Sequence, residues 1–327
     1  MVKDNKFKKL VKNNTIWLVL IGFFVVATIA SKNFLTASNL TSVLMTESII
    51  GILAAGIMWC ILSKGIDLSA GSIVALSSCI VASLVQNPEY SAKFFPNVNI
   101  PIIFAIIITC IICTLFGLLN GWLIAYTKIP AFIATLGTQL ICRAAAQLYT
   151  NAYPIPELKP EFKFIGQGTI LGFLPVLVLV FIIFVAISGF MLTQTRFGKN
   201  VYAIGGNDQA ARVAGINVEK NLLFVYIWSA FCASVGGILL AARSGVGNSS
   251  FGLNYELDAI AAATVGGTSH AGGVANISGV IAGILILGIV KNAMLLLGIN
   301  AYWQQIVKGA IIIFAVVLDM RKNARKN

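Results

Sequence analysis

The sequence of 327 residues is 58% hydrophobic and only 10% charged. Because soluble globular domains carry about 25% charged residues, this composition excludes a chain that covers itself with a water-facing surface. The net charge of +12 is concentrated in clusters beside the first and last apolar runs, where basic residues orient membrane helices, so a nucleic-acid surface is excluded as its explanation.

Ten apolar runs follow in chain order, and most approach the roughly 20 residues that a bilayer requires. The sequence therefore predicts an all-α polytopic membrane protein with about ten transmembrane helices. The first run resembles a secretory signal but is interpreted as a retained first helix, and Ser38 and Asn39 are predicted to cap the second. The predicted spans are about 15–31, 38–63, 71–86, 101–126, 131–149, 172–192, 221–241, 255–266, 274–297 and 302–319.

The distribution of Lys and Arg between alternate loops predicts that both termini lie in the cytoplasm, because basic residues accumulate in cytoplasmic loops. A single transmembrane domain then covers 1–327, with a basic N-terminus at 1–14, a cytoplasmic loop at 193–220 and a basic tail at 320–327. Five spans lie on each side of that loop, so the two halves would have opposite topology. Inverted halves with short, broken helices are typical of transporters.

Asp67 lies in a predicted break between Gly65 and Gly71. A charged residue at bilayer depth costs about 2.5–3.5 kcal/mol on insertion scales. Two interpretations stay open. Asp67 caps the third span, whose helix dipole an acid complements, or it lines a translocation path together with Ser69.

A second acidic cluster opens the short run at 255–266, which cannot cross a membrane alone. Asn254 is predicted to cap this helix, and Glu256 and Asp258 fall in its first turn. A helix that starts at membrane depth is tolerated only inside protein or at a cavity wall. Tyr255, Glu256 and Asp258 are therefore candidates for lining or gating a path.

Residues for catalysis or metal binding are not predicted. His270 is the only histidine and has no ligand at suitable spacing, so it is interpreted as part of a flexible cytoplasmic turn. The six cysteines all lie in apolar runs and are interpreted as buried thiols. The sequence contains no G-x-x-x-x-G-K-[ST] loop for ATP. No cofactor is therefore predicted in this chain.

The segment 195–221, TRFGKNVYAIGGNDQAARVAGINVEKN, is polar and separates two long apolar runs. It must lie outside the lipid, and its basic residues place it in the cytoplasm. A short Ala-rich helical core between glycines suits docking onto another protein. Because the chain has no nucleotide-binding loop, that partner is a candidate energy source.

Five motifs together carry a family resemblance: GIDLSAGS (65–72), PAFIATLGT (130–138), TRFGKNVYAIGGNDQAARVAGINV (195–218), YELDAIAAATVGGTSHAGG (255–273) and YWQQIVKGAIIIFAVVLD (302–319). With them, nearly the whole chain resembles the membrane-spanning permeases of bacterial ABC importers for monosaccharides, in the ribose/xylose/galactose branch. ELDAIAA and the last motif look most like the galactose/methyl-galactoside group.

The resemblance implies a homodimer in the cytoplasmic membrane, separate ATP-binding subunits that hold ATP and Mg, and a sugar-binding protein on the opposite side. It implies a transport subunit rather than an enzyme, in contact with lipid and not with nucleic acid. It also implies that residues 195–217 carry a coupling helix seated in a groove of the ATPase. The matched positions are Gly205, Gly206, Asn207, Ala210, Ala211, Gly215 and Asn217.

Two other functional classes are weighed beside this one. An ion-coupled secondary sugar transporter also has inverted halves, but it needs titratable residues along its path. A membrane-embedded enzyme needs clustered His, Glu or Cys ligands, which a chain with one histidine supplies poorly.

Overall fold

A computed structural model of the chain describes residues 15–324, which are mostly helical. Thirteen helices and one short hairpin are present in this part of the chain. The helices are α1 (Thr15–Ala30), α2 (Ala37–Leu62), α3 (Ala70–Leu84), α4 (Ile102–Ala125), α5 (Ala131–Thr150), α6 (Pro160–Gln167), α7 (Val176–Gln194), α8 (Arg196–Gly206), α9 (Asp208–Val213), α10 (Val218–Ser244), α11 (Tyr255–Val265), α12 (Ile277–Leu296) and α13 (Ala301–Ala324). The hairpin pairs β1 (Thr169–Ile170) with β2 (Leu174–Pro175) in antiparallel register.

Each of the ten predicted runs contains a helix, and six helices are long and apolar enough to cross a membrane: α2, α4, α7, α10, α12 and α13. The predicted all-α membrane architecture is thereby confirmed. The predicted caps of α2 are wrong, since Thr36 holds that position and its hydroxyl accepts a hydrogen bond from the Asn39 amide. The predicted basic N-terminus at 1–14 and the last residues of the basic tail lie outside the described residues.

Helices α2 and α10 form the centre of the bundle and run antiparallel. Leu53 faces Gly236 near one end of the contact, and Gly65 faces Tyr226 near the other. Gly117 on α4 lies against Ala230 on α10. Small residues at these crossings let the helix backbones approach closely.

Two central helices are each followed by an extended break and a shorter helix. Residues 63–69 separate α2 from α3, and residues 245–254 separate α10 from α11. The two breaks approach each other at Gly71 and Gly252. The backbones are so close there that a Cβ atom added to either glycine would meet the carbonyl of the other. The N-terminal ends of the two short helices therefore meet inside the bundle.

The outward faces of the bundle are apolar. Large hydrophobic side chains such as Phe104 on α4, Ile183 on α7 and Phe314 on α13 are exposed. Lipid tails are as apolar as these side chains, so their exposure carries no hydrophobic cost in a bilayer. The chain is a multi-pass membrane protein.

The loops collect at two opposite ends. At one end, which we call the α8–α9 end and define by residues 64, 128, 195–217 and 266–276, Lys64 Nζ donates to the Gly206 carbonyl (3.2 Å) and Lys128 Nζ lies 3.0 Å from Glu219 Oε1. At the hairpin end, defined by residues 86–100, 151–175 and 245–247, Asn87 N donates to the Glu157 carbonyl (2.7 Å). The loops that were predicted to lie on alternate sides of the membrane thus form two groups at different ends of the bundle.

Candidate functional site

A cavity of about 250 Å³ lies between α2, α11, α12 and α13. Its volume is slightly below the roughly 300–1,000 Å³ typical of small-molecule pockets. The lining mixes aliphatic side chains with charged and polar ones. The polar lining residues are Glu47, Asn254, Tyr255, Asp258, Lys291, Gln304, Gln305 and Lys308.

Charges of opposite sign face each other in this cavity. Asp258 on α11 pairs with Lys308 on α13 at 2.5 Å, and both side chains are mostly buried. Glu47 on α2 and Lys291 on α12 line the same space. Carboxylates, amides and ammonium groups in one cavity can bind a polar, uncharged ligand with many hydroxyl groups.

Sequence reasoning missed Glu47, which is 6% exposed and approaches α12 at Gly288. A signal was available, because Glu47 is the only charged residue between Lys32 and Lys64. A lone acid within an apolar run is expensive and usually functional in a membrane.

Of the candidate path residues, Tyr255 and Asp258 line the cavity, in the first turn of α11. Asn254 holds the predicted N-cap position of this helix but does not cap it with its side chain. Asn254 has a left-handed backbone (φ 63°), and its side chain makes no capping hydrogen bond.

Asp67 and Ser69 are buried in a polar network away from the cavity. Asp67 Oδ1 accepts hydrogen bonds from the backbone N–H (2.9 Å) and the hydroxyl (2.6 Å) of Ser69, and its Oδ2 accepts from the Ser229 hydroxyl (2.6 Å). Asn120 Nδ2 donates to the Ser69 hydroxyl (3.0 Å), and the Thr138 hydroxyl donates to Asn120 Oδ1 (2.6 Å). Asp67 thus fastens the break before α3 to α10, and through Asn120 to α4 and α5.

Glu256 points to the side of α11 away from the cavity. Its Oε1 accepts from Gln139 Nε2 (3.0 Å), and its Oε2 lies beside Gly71. Arg143 fills the adjacent space, where it donates to the carbonyls of Ser249 (2.6 Å), Phe251 (2.7 Å) and Gly71 (3.2 Å). One guanidinium therefore joins the break before α11 to the start of α3.

Residues 195–217 form two short helices, α8 and α9, that end in capped turns. Asn207 Oδ1 accepts from the Ala210 amide (3.0 Å), and Asn217 Oδ1 accepts from the Lys220 amide (2.8 Å). Gly215 follows α9 with φ +80°, a conformation that glycine adopts without strain. These three matched residues therefore shape the turns on either side of α9.

Small alanine side chains were expected to let this segment seat closely on a partner, and two of the matched residues are buried within the permease itself. Ala211 is 3% exposed and packs with Ile204 and Val218, while Gly205 is buried against α2. The exposed surface instead contains Gly206, Ala210 and Val213. Val213 is 91% exposed and was not singled out from the sequence, because one valine between charged and small residues gives no periodic signal.

His270 lies in a turn that is hydrogen-bonded on two sides. Its Nε2 lies 2.8 Å from the Thr264 hydroxyl, and its backbone N–H donates to Asp319 Oδ2 (3.0 Å). Burial lowers the pKa of His270, and Asp319 opposes that shift. Within residues 15–324, no three His, Cys, Asp or Glu side chains are grouped so that they could hold a metal ion.

Comparison with known proteins decides the family. A family described as "Branched-chain amino acid transport system / permease component" matches residues 39–316. The chain belongs to this family of transport permeases. No solved structure matches it.

The curated relatives of this permease cover almost its full length. It is 40% identical to the galactose/methyl galactoside import permease protein MglC of Escherichia coli K12, over 99% of both chains. It is 35% identical to the ribose import permease protein RbsC of Haemophilus influenzae, over 95% of this chain and 94% of the relative. The RbsC of Bacillus subtilis is 36% identical, over 94% and 92%. The resemblance to sugar permeases is thereby confirmed.

Proposed function

We propose that this chain is the transmembrane permease subunit of an ATP-driven monosaccharide importer in the cytoplasmic membrane. The full-length identity to a galactose/methyl galactoside import permease carries this proposal. It favours galactose, glucose or a methyl galactoside as the substrate, with ribose or xylose next because ribose permeases are similar at somewhat lower identity.

The sugar crosses through the cavity between α2, α11, α12 and α13. A monosaccharide presents hydroxyl groups that donate and accept hydrogen bonds, and the lining offers acceptors on Asp258 and donors on Lys308. Tyr255 adds a ring and a hydroxyl to the same wall. The network around Asp67, Ser69 and Glu256 holds the wall in place without touching the sugar in this conformation.

A single permease domain spans 1–327 with ten transmembrane helices and both termini in the cytoplasm. Two copies form the channel, surrounded by lipid. The α8–α9 end then faces the cytoplasm. There, residues 193–220 bind the ATP-binding subunit through Gly206, Asn207 and Ala210. The buried or turn-forming residues of the same segment keep it rigid, namely Gly205, Ala211, Gly215 and Asn217. ATP and Mg are held and hydrolysed by that subunit, and a sugar-binding protein docks at the hairpin end.

Reconstitution in vesicles tests this function. The permease, its ATP-binding subunit and its sugar-binding protein are incorporated together, and uptake of labelled galactose, glucose, ribose and xylose is measured with and without internal ATP. We expect ATP-dependent uptake with galactose or glucose preferred. Uptake without the ATP-binding subunit that stops when an ionophore removes the ion gradient would instead establish a secondary transporter.

A further inference from the structure

The turn between α11 and α12, residues 266–276, is held by both helices that carry the charged pair of the cavity. We call it the His270 turn. His270 contacts Thr264 at the end of α11, and Asp319 on α13 accepts hydrogen bonds from the Ser269 hydroxyl and the His270 amide, both at 3.0 Å. A displacement of this turn therefore acts on α11 and α13, which carry Asp258 and Lys308.

The opposite side of the His270 turn lies against the end of α8. A Cβ on Gly272 would clash with the carbonyl of Gly205 and with the Lys64 side chain, and one on Gly205 would clash with Gly273 N and the Leu62 carbonyl. Gly273 N donates to that Leu62 carbonyl at 2.9 Å. Three glycines therefore bring the backbones of α8, the end of α2 and the turn into direct contact.

Backbones packed without an intervening side chain have few alternative arrangements, so a shift of one is passed to the next. Gly206, at the end of α8, is also tied to Lys64 by a hydrogen bond of 3.2 Å. The α8–α9 segment is thus connected to the His270 turn by backbone packing and hydrogen bonds. The turn itself leads directly into α11 and is hydrogen-bonded to α13, and both of these helices line the cavity.

We propose that Gly272 and Gly273 are positioning residues for transport, which transmit movement of the α8–α9 segment through the His270 turn to α11 and α13. The inference rests on the proposed function, since it assumes that the α8–α9 segment receives the motion of an ATPase. It adds that the cavity is opened and closed from this turn, with Asp319 and His270 as its attachments.

A matched pair of glycine variants separates this role from simple backbone strain. Gly272 (φ +80°) and Gly267 (φ +90°) both lie in the His270 turn in conformations that disfavour side chains. A Cβ on Gly272 meets α8, whereas a Cβ on Gly267 has nothing within 4 Å. Both variants, Gly272→Ala and Gly267→Ala, are assembled into the full complex. The measured quantity is the ratio of sugar taken up to ATP hydrolysed.

We expect Gly272→Ala to lower uptake per ATP about fivefold or more, the lower end of typical coupling factors, while Gly267→Ala keeps the wild-type ratio. A folding defect alone lowers uptake and hydrolysis together and leaves the ratio unchanged. If Gly272→Ala fails to assemble, Asp319→Ala provides the same test, because it removes the oxygen that accepts both hydrogen bonds from the turn.

The two proposals fail differently. A wild-type complex without ATP-driven uptake overturns the proposed function. A wild-type complex that transports, with Gly272→Ala or Asp319→Ala retaining the same uptake per ATP as Gly267→Ala, overturns the role of the His270 turn.

Discussion

Arg143 is the residue on which the meeting of the two breaks depends. Extended backbone at membrane depth leaves carbonyls without helical partners, and each must be satisfied inside the protein. Arg143 supplies donors to the carbonyls of Ser249 and Phe251 from one break and of Gly71 from the start of α3. A planar guanidinium with five N–H groups can bind several acceptors at once, which a lysine cannot do with the same geometry.

Replacement of Arg143 by Met is therefore expected to destabilise the protein strongly. Each buried carbonyl left without a donor costs about 1–3 kcal/mol, and the two carbonyls of the break, on Ser249 and Phe251, are affected. Arg143→Lys keeps the charge and part of the bonding and should give an intermediate loss. Thermal unfolding of the purified permease in detergent measures the effect, with the exposed Arg196→Met as control. Equal melting temperatures for the Arg143 and Arg196 variants would contradict the assignment.

Individual residues also show which contacts cannot be predicted from the sequence. The sequence indicated that Asp67 is special, since an acid in a break at membrane depth is rare. It could not identify Ser229 as a partner, because that contact joins residues far apart in the chain through the packing of α3 against α10. Asn254 shows the same limit, since asparagine both caps helices and tolerates a left-handed backbone, and only the structure shows which of the two occurs here.

The segment 195–217 shows that the existence of a helical element can be predicted better than which of its side chains face inward. Its charge and its position between apolar runs placed it outside the membrane, and the structure folds it as α8 and α9. Which alanine faces inward depends on how α9 is rotated about its axis. Because α9 has only six residues, its sequence is too short to show a helical periodicity of buried positions. The structure decides it, with Ala211 inside and Val213 outside.

Val213→Asp is expected to weaken binding of the ATP-binding subunit while the permease still folds. A side chain that is 91% exposed supports little of the permease's own stability, whereas an apolar anchor in a protein interface contributes about 2 kcal/mol or more when it is a hot spot. Leu171→Asp is the matched control, because Leu171 is 83% exposed at the hairpin end. Co-purification with the ATP-binding subunit should fall for Val213→Asp alone. Equal recovery of the complex from both variants would exclude Val213 from the interface.

The whole molecule is organised around two broken helices that approach from opposite ends. Hydropathy and charge predicted short helices in both halves, and the antiparallel packing of α2 on α10 supports that inverted arrangement. The cavity could not be predicted in the same way. It is formed where α11, too short to span the membrane, leaves space between α2, α12 and α13, and this requires the relative positions of four helices from both halves of the chain.

The Asp258–Lys308 pair tests whether this cavity carries the sugar. Removing one partner leaves an uncompensated charge, whereas removing both does not. Each single variant should therefore have a lower free energy of unfolding than the double variant Asp258→Ala/Lys308→Ala, by about 1–3 kcal/mol. The double variant should nevertheless lose most sugar uptake, because the wall has lost its polar contacts. Asn39→Ala/Asn292→Ala removes an interhelical pair, hydrogen-bonded at 2.9 Å, that does not line the cavity, and it serves as the control. Wild-type uptake by the stable Asp258/Lys308 double variant would place the translocation path elsewhere. Loss of uptake in that variant but not in the control would assign transport to this cavity.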